Sequence, residues 1–201
     1  MSVIQYDPTK AKPINNVFCE TPFVGMFYMP LKVFEDDRGF FTEIGRAPEV
    51  EEVTKKPFRI AQLNLSLSKT NSIRGFHTEG WNKLATVIQG AAFCALVDIR
   101  PQSKTFGQAI TVTLGRSGGA HFGSIYLPQG IANSFLVLKG PMLYSYAVDR
   151  LYKDRDQSGD VAISLFDPDI GVNWPIDKDQ MIISKRDIDT ITLREKYPHK
   201  F

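Results

Sequence analysis

Ser72-Ile73-Arg74-Gly75-Phe76-His77, followed six residues after the histidine by Lys83, brings a guanidinium, an imidazole and an ammonium together on one expected strand and its turn. Arginine grips phosphate oxygens as a bidentate fork, and an imidazole exchanges protons near neutral pH. The combination suits an anionic substrate and a proton transfer. A histidine beside a glycine is also a common structural feature, so the hexapeptide alone is a candidate site and not a function.

The elements that must position these groups are mostly strands. Residues 108–114 alternate polar with apolar, as do Phe93, Ala95, Val97 and Ile99 against Asp98, with Gly90 and Gly115 as turns. This period of two predicts half-buried strands. Further short strands are expected over 24–29, 58–66, 84–88, 121–127, 133–137, 142–148 and 161–165, separated by Gly, Pro, Asp or Ser. About ten strands and one short helix, near 48–54, predict an all-β sandwich or barrel. Neither an internal repeat nor a low-complexity linker divides the 201 residues, so one domain, 1–201, is expected. Residues 1–20, with Pro8, Pro13 and little periodicity, predict an N-terminal arm that packs on a neighbour or is loosely ordered.

Composition narrows the function classes. With 24 basic and 22 acidic residues the formal charge is only +2, and no block of Lys or Arg forms an electrostatic stripe, which argues against nucleic acid as a partner. Two cysteines, Cys19 and Cys94, are too few for a disulfide framework and fit a reducing, cytoplasmic setting. The longest apolar run, 91–97, is too short to span a bilayer and the first residues carry no apolar leader segment, so a soluble chain with no membrane partner is expected.

Further segments add polar chemistry. Residues 34–43 set a charged turn, with Asp37-Arg38 at its tip, against Phe40 and Phe41. Gln62, Asn64 and Ser66 share one strand face opposite Leu63 and Leu65. Such a polar row lines either the ligand-holding lumen of a barrel or a solvent-facing surface. Residues 128–135 read as a turn feeding a strand, and Tyr144 and Tyr146 place two phenols on one strand face, where packing is the commoner use of tyrosine.

Taken together, the segments resemble the dTDP-4-dehydrorhamnose 3,5-epimerase family, sugar-nucleotide epimerases of the cupin fold, over about 22–187. The pieces that carry the resemblance are 34–43, Gln62-x-Asn64-x-Ser66, 73–77, Val97-Asp98-Ile99-Arg100 with Ser103-x-Thr105-Phe106-Gly107, Leu127-Pro128-x-Gly130, Tyr146, and Phe166-Asp167-Pro168-x-Ile170-Gly171-x-x-Trp174-Pro175. Their order and spacing together are specific, whereas any one alone is weak.

The resemblance implies a double-stranded β-helix, or jelly-roll, barrel with short peripheral helices, holding a nucleoside-diphospho-4-keto-6-deoxyhexose. The C4 ketone of such a sugar acidifies the protons on C3 and C5, so a base on one face and an acid on the other can invert each centre through an enolate. By this likeness His77 is the base, Asp187 orients and charges its imidazole, Tyr146 is the opposing acid, and Lys83 stabilises the C4 oxyanion. Arg74 would hold the diphosphate, Gln62 and Asn64 the phosphate or sugar, and Tyr152 aligns near the tyrosine that stacks on the base. Arg38, Phe41 and Glu43 correspond to residues that a neighbouring subunit lends to the nucleotide pocket, which implies a homodimer with shared sites.

The chain also departs from its relatives. Many members carry a second histidine where Asn133 stands, and asparagine can bond a substrate oxygen but cannot exchange a proton. The gap from His77 to Lys83 is shorter than in the typical enzymes, with Trp81 inside it. These departures keep a single-centre epimerase or a 3,4-ketoisomerase open as alternatives, beside a cupin that only binds a sugar nucleotide. His77-Thr78-Glu79 offers no His-x-His pair and His121 and His199 lie outside the motifs, so neither a metal nor any other cofactor is expected.

Overall fold

A computed structural model describes residues 2–201. In chain order its elements are β1 (Val3–Gln5), β2 (Cys19–Glu20), β3 (Phe27–Pro30), β4 (Phe34–Asp36), β5 (Gly39–Phe41), α1 (Ala47–Thr54), β6 (Gln62–Ser68), β7 (Ser72–Gly80), β8 (Lys83–Asp98), β9 (Ala109–Gly115), β10 (Gly123–Leu127), β11 (Ile131–Val148), β12 (Asp156–Ala162), β13 (Ile182–Ile183), α2 (Lys185–Ile188) and α3 (Leu193–Lys196). The expected helix is present as α1, with Pro48 in its first turn and Lys55 closing it in the left-handed conformation.

Two long strands organise the rest. The first half of β8 pairs with β10, and its second half pairs with β9. β11 pairs with β8 along its whole length, with β7 through its first half and with β6 through its second. The outcome is two sheets, β1-β9-β8-β11-β7-β12 and β2-β3-β10-β8-β11-β6, which share β8 and β11 and close into the expected all-β jelly roll.

The residues that looked like turns are the bends of these shared strands. Gly90 has φ of +82°, and a Cβ on it would lie 2.4 Å from the Lys139 carbonyl oxygen. At such closeness only glycine lets β8 pass from one sheet to the other beside the matching irregularity of β11 at Lys139. Four expected strands, 84–88, 93–99, 133–137 and 142–148, are therefore two.

Burial of β8 also differs from the half-buried expectation. Cys94 and Leu96 face the barrel interior with Tyr28, Ile110, Ile125 and Phe135, while Ala95 and Val97 are equally buried against Ile73, Phe76, Leu165, Ile170 and Leu193. The C-terminal segment covers the outer face, so a strand buried on both sides loses its alternation. Asp167 docks that segment by accepting from the Leu193 amide. Residues 1–20 are corrected as well: β1 pairs in parallel with β9, Tyr6 enters the barrel core, and Phe18 is fully buried beside Val50 and Phe58.

Candidate active site

The site begins with an irregularity in β7. Asn133 pairs with His77 and Phe135 with Arg74, so β7 has one residue more than β11 between these pairs. Gly75 absorbs it with φ of +125°, and a Cβ there would meet the Ser134 Cβ at 2.3 Å. A bulge lets residues three apart share a face. Ile73 and Phe76 thus both enter the outer core, and Arg74 and His77 turn the other way. Arg74 reaches β6, donating from Nε to Ser68 Oγ at 3.3 Å.

His77 Nε2 lies 2.6 Å from Asp187 Oδ1. Ser184-Lys185-Arg186-Asp187 explains how a residue so distant in sequence arrives there: Ser184 caps α2, accepting from the Asp187 amide at 3.2 Å and donating to Asp187 Oδ2 at 2.9 Å. Burial pushes the Asp187 carboxyl up, but the bonds from His77 and Ser184 and the nearby Arg186 outweigh it and leave it below its ordinary range. An ionised carboxylate only accepts, so Nε2 carries the proton and Nδ1 is the free lone pair.

The turn at Trp81 and Asn82 takes the chain from β7 in one sheet to β8 in the other. Asp149 fixes it by accepting from the Asn82 amide and side chain at 2.9 and 2.6 Å. The turn brings Lys83 back beside β7 and β11. Its Nζ donates to Asn133 Oδ1 at 2.8 Å and to Glu79 Oε2 at 3.2 Å, and lies 5.1 Å from the centre of the Tyr146 ring. Burial, reinforced by Glu79 and opposed by Arg74, raises the Tyr146 phenol above its ordinary range and keeps it protonated. Tyr144, on the same face, serves packing, with its ring 5.0 Å from that of Phe135.

Polar side chains of β6 continue the site. Gln62 donates to Asn64 Oδ1 at 2.6 Å and accepts from the Tyr152 amide at 2.9 Å, and Asn64 is the register partner of Tyr146. Gln62, Asn64 and Ser66 are half-buried while Leu63, Leu65 and Leu67 are exposed, so the polar row faces the barrel interior and not solvent. Tyr152 is exposed; the Arg155 guanidinium lies 3.9 Å from its ring centre and is held by Asp160.

Not every expected residue joins this cluster. Arg38 pairs with Asp36 on the hairpin, the Phe41 ring packs 6.4 Å from that of Phe34, and Glu43 pairs with Arg46. Arg116, at the far end of β9, anchors the hairpin by stacking 3.8 Å from the centre of the Phe40 ring. Among the described residues none of these three bonds to His77, Lys83 or Tyr146. Conversely, Glu79 and Arg155 escaped the sequence reading. Glu79 had a signal, since His77-x-Glu79 shares a strand face; Arg155 had none. No group of three or more His, Cys, Asp or Glu side chains among the described residues is placed to share a metal ion.

Comparison with known proteins fits this geometry. The family described as dTDP-4-dehydrorhamnose 3,5-epimerase matches residues 20–195. The dTDP-4-dehydrorhamnose 3,5-epimerase of Methanothermobacter thermautotrophicus is 33% identical over 182 residues, 89% of this chain and 95% of that protein. A dTDP-4-dehydrorhamnose 3-epimerase of Streptomyces niveus is 29% identical, covering 80% of this chain and 75% of that one. The crystal structure of the Legionella pneumophila dTDP-6-deoxy-D-glucose-3,5-epimerase in complex with dTDP-4-keto-L-rhamnose superposes with a TM-score of 0.77 at 29% identity, covering 88% of this chain and 92% of that one.

Proposed function

The chain belongs to the dTDP-4-dehydrorhamnose 3,5-epimerase family, and from that membership we propose that it is a single-domain isomerase inverting C3 and C5 of a dTDP-4-keto-6-deoxyhexose by proton transfer. The observation that carries the reading is the 2.6 Å pair of His77 Nε2 and Asp187, with Lys83 and Tyr146 gathered on the same interior. A protein that only bound a sugar nucleotide would need Arg74 and the polar row but no base held by a buried carboxylate.

In this reading the Nδ1 lone pair of His77 takes the proton from C3 or C5, and the bonding electrons flow into the C4 carbonyl. The oxyanion forms against the Lys83 ammonium, a fixed charge already in place before the reaction. Tyr146 delivers its phenolic proton to the opposite face of the same carbon, and exchange of imidazolium and phenolate with water resets both groups. Arg74 takes the diphosphate as a fork, and a ligand oxygen at Asn64 Nδ2 supplies the partner that this buried donor lacks among the described residues. Tyr152 offers its exposed ring to the base. We assign Arg38, Phe41 and Glu43 to the site of a second copy in a homodimer, since their own-chain contacts hold them on the hairpin.

His77→Ala tests enzyme against binder. It should lower turnover by about 10²-fold or more while calorimetry finds dTDP affinity unchanged within about threefold. Equal loss of both contradicts the catalytic role. One observation favours a second reading, inversion at one centre only: Asn133 Oδ1 is engaged by Lys83 and its amide cannot relay a proton, and a relative is named a 3-epimerase.

A further inference from the structure

Lys83, like Asp187, carries a charge that is held out of water before the substrate arrives. Its side chain is 8% exposed, and an ammonium has three N–H donors and no acceptor. A buried ammonium is tolerable only when paired and hydrogen-bonded. Two donors are engaged, by Glu79 Oε2 at 3.2 Å and Asn133 Oδ1 at 2.8 Å, and among the described residues the third has no partner. The two acceptors come from neighbouring strands, β7 and β11, which pair directly at His77 and Asn133. The hold on Lys83 is therefore built into the same register that presents the base.

We propose that Glu79 and Asn133 are positioning residues that together pin the Lys83 ammonium, leaving its third N–H for the C4 oxygen of the substrate. The inference rests on the epimerase reading above. It gives Asn133 a task that needs an acceptor and no proton exchange, so asparagine suits the position. It also makes Glu79 the counter-charge of a buried ammonium.

Glu79 acts on the acid as well. Tyr146 is faced by Glu79 and Arg74 from β7, Lys83 from β8, Tyr152 from the following turn and Tyr144 along its own strand. Glu79 is among the causes that keep the phenol protonated, so its neutralisation moves the loss of activity at alkaline pH to a lower pH.

Three variants test this. Glu79→Leu removes one hold, and kcat should fall by about 10²-fold, as for a reacting group displaced by 1 Å, while KM stays within about threefold because Lys83 works on charge that develops only in the transition state. Glu79→Gln keeps an acceptor and should recover most of the lost rate, with the alkaline limb of its kcat profile shifted down. In a crystal structure of Glu79→Leu, Nζ should have left Asn133 Oδ1. Unchanged kcat with only a lower melting temperature would overturn the proposal, as would Nζ remaining in place. Should Glu79→Leu not fold, Asn133→Ala removes the other hold, with the same fall in kcat expected and Nζ expected to have left Glu79 Oε2 in its crystal structure. If the parent chain turns over no sugar nucleotide, the epimerase reading falls, and the position of Nζ in the variant crystal still decides the positioning claim.

Discussion

At the scale of residues, the site is a set of charges held in place by buried partners. Asp187 is the clearest case. Because its carboxyl is below its ordinary value in the folded chain, its contribution to stability is fully present above that ordinary value of 3.8 and is lost as the pH falls below it. Asp187→Asn should therefore flatten the acid side of the stability profile, measured by urea unfolding at successive pH values. It should also lower kcat by about 10²-fold or more, because the amide removes the charge that supports the imidazolium and, able to donate as well as accept, no longer fixes one tautomer. An unchanged acid limb together with unchanged kcat would separate Asp187 from His77. Of the proposed site, His77 and Lys83 stood out by residue type and spacing, whereas the roles of Tyr146 and Asp187 came only through the resemblance, since no local pattern joins residues 77 and 187. What the sequence left hidden was how they are held: the two acceptors of Lys83 come from two different strands, β7 and β11, a juxtaposition that no spacing along one strand contains.

At the scale of elements, a glycine decides which way the candidate site side chains of β7 face. It is Gly75, whose bulge makes Arg74 and His77 neighbours on one face although they are three apart. Gly75→Ala would place a methyl group 2.3 Å from the Ser134 side chain at a φ of +125°. It should cost about 1–3 kcal/mol for the backbone conformation alone, and denaturant unfolding should reveal at least that loss together with a fall in kcat. An alanine variant as stable and as active as the parent would mean that the bulge is not what orients His77. Strand positions were readable from alternation wherever one face is polar, as in β6 and β9. Alternation failed for β8 because both of its faces are covered, and it failed at 90 and 139–141 because glycine and proline serve there as bends within a strand and not as its ends. The N-terminal segment was misread for a related reason: a three-residue parallel pairing such as that of β1 with β9 leaves almost no periodic trace.

At the scale of the whole molecule, the barrel gathers its candidate site between the two sheets and leaves an apolar face outside. Leu63, Leu65 and Leu67 are 72%, 65% and 64% exposed on β6, an edge strand that pairs only with β11. Such an apolar row on a free edge suits association, and the homodimer proposed above would have a second copy cover it. With a net charge of +2 there is little repulsion to oppose such pairing. The central claim, that this barrel moves protons on a 4-keto sugar with His77 as the base, is tested most directly by proton NMR of dTDP-4-keto-6-deoxyglucose incubated with the protein in D₂O. Deuterium should enter at C3 and at C5 with the parent chain and at neither with His77→Ala; no exchange with the parent, or exchange that survives the loss of His77, would contradict it.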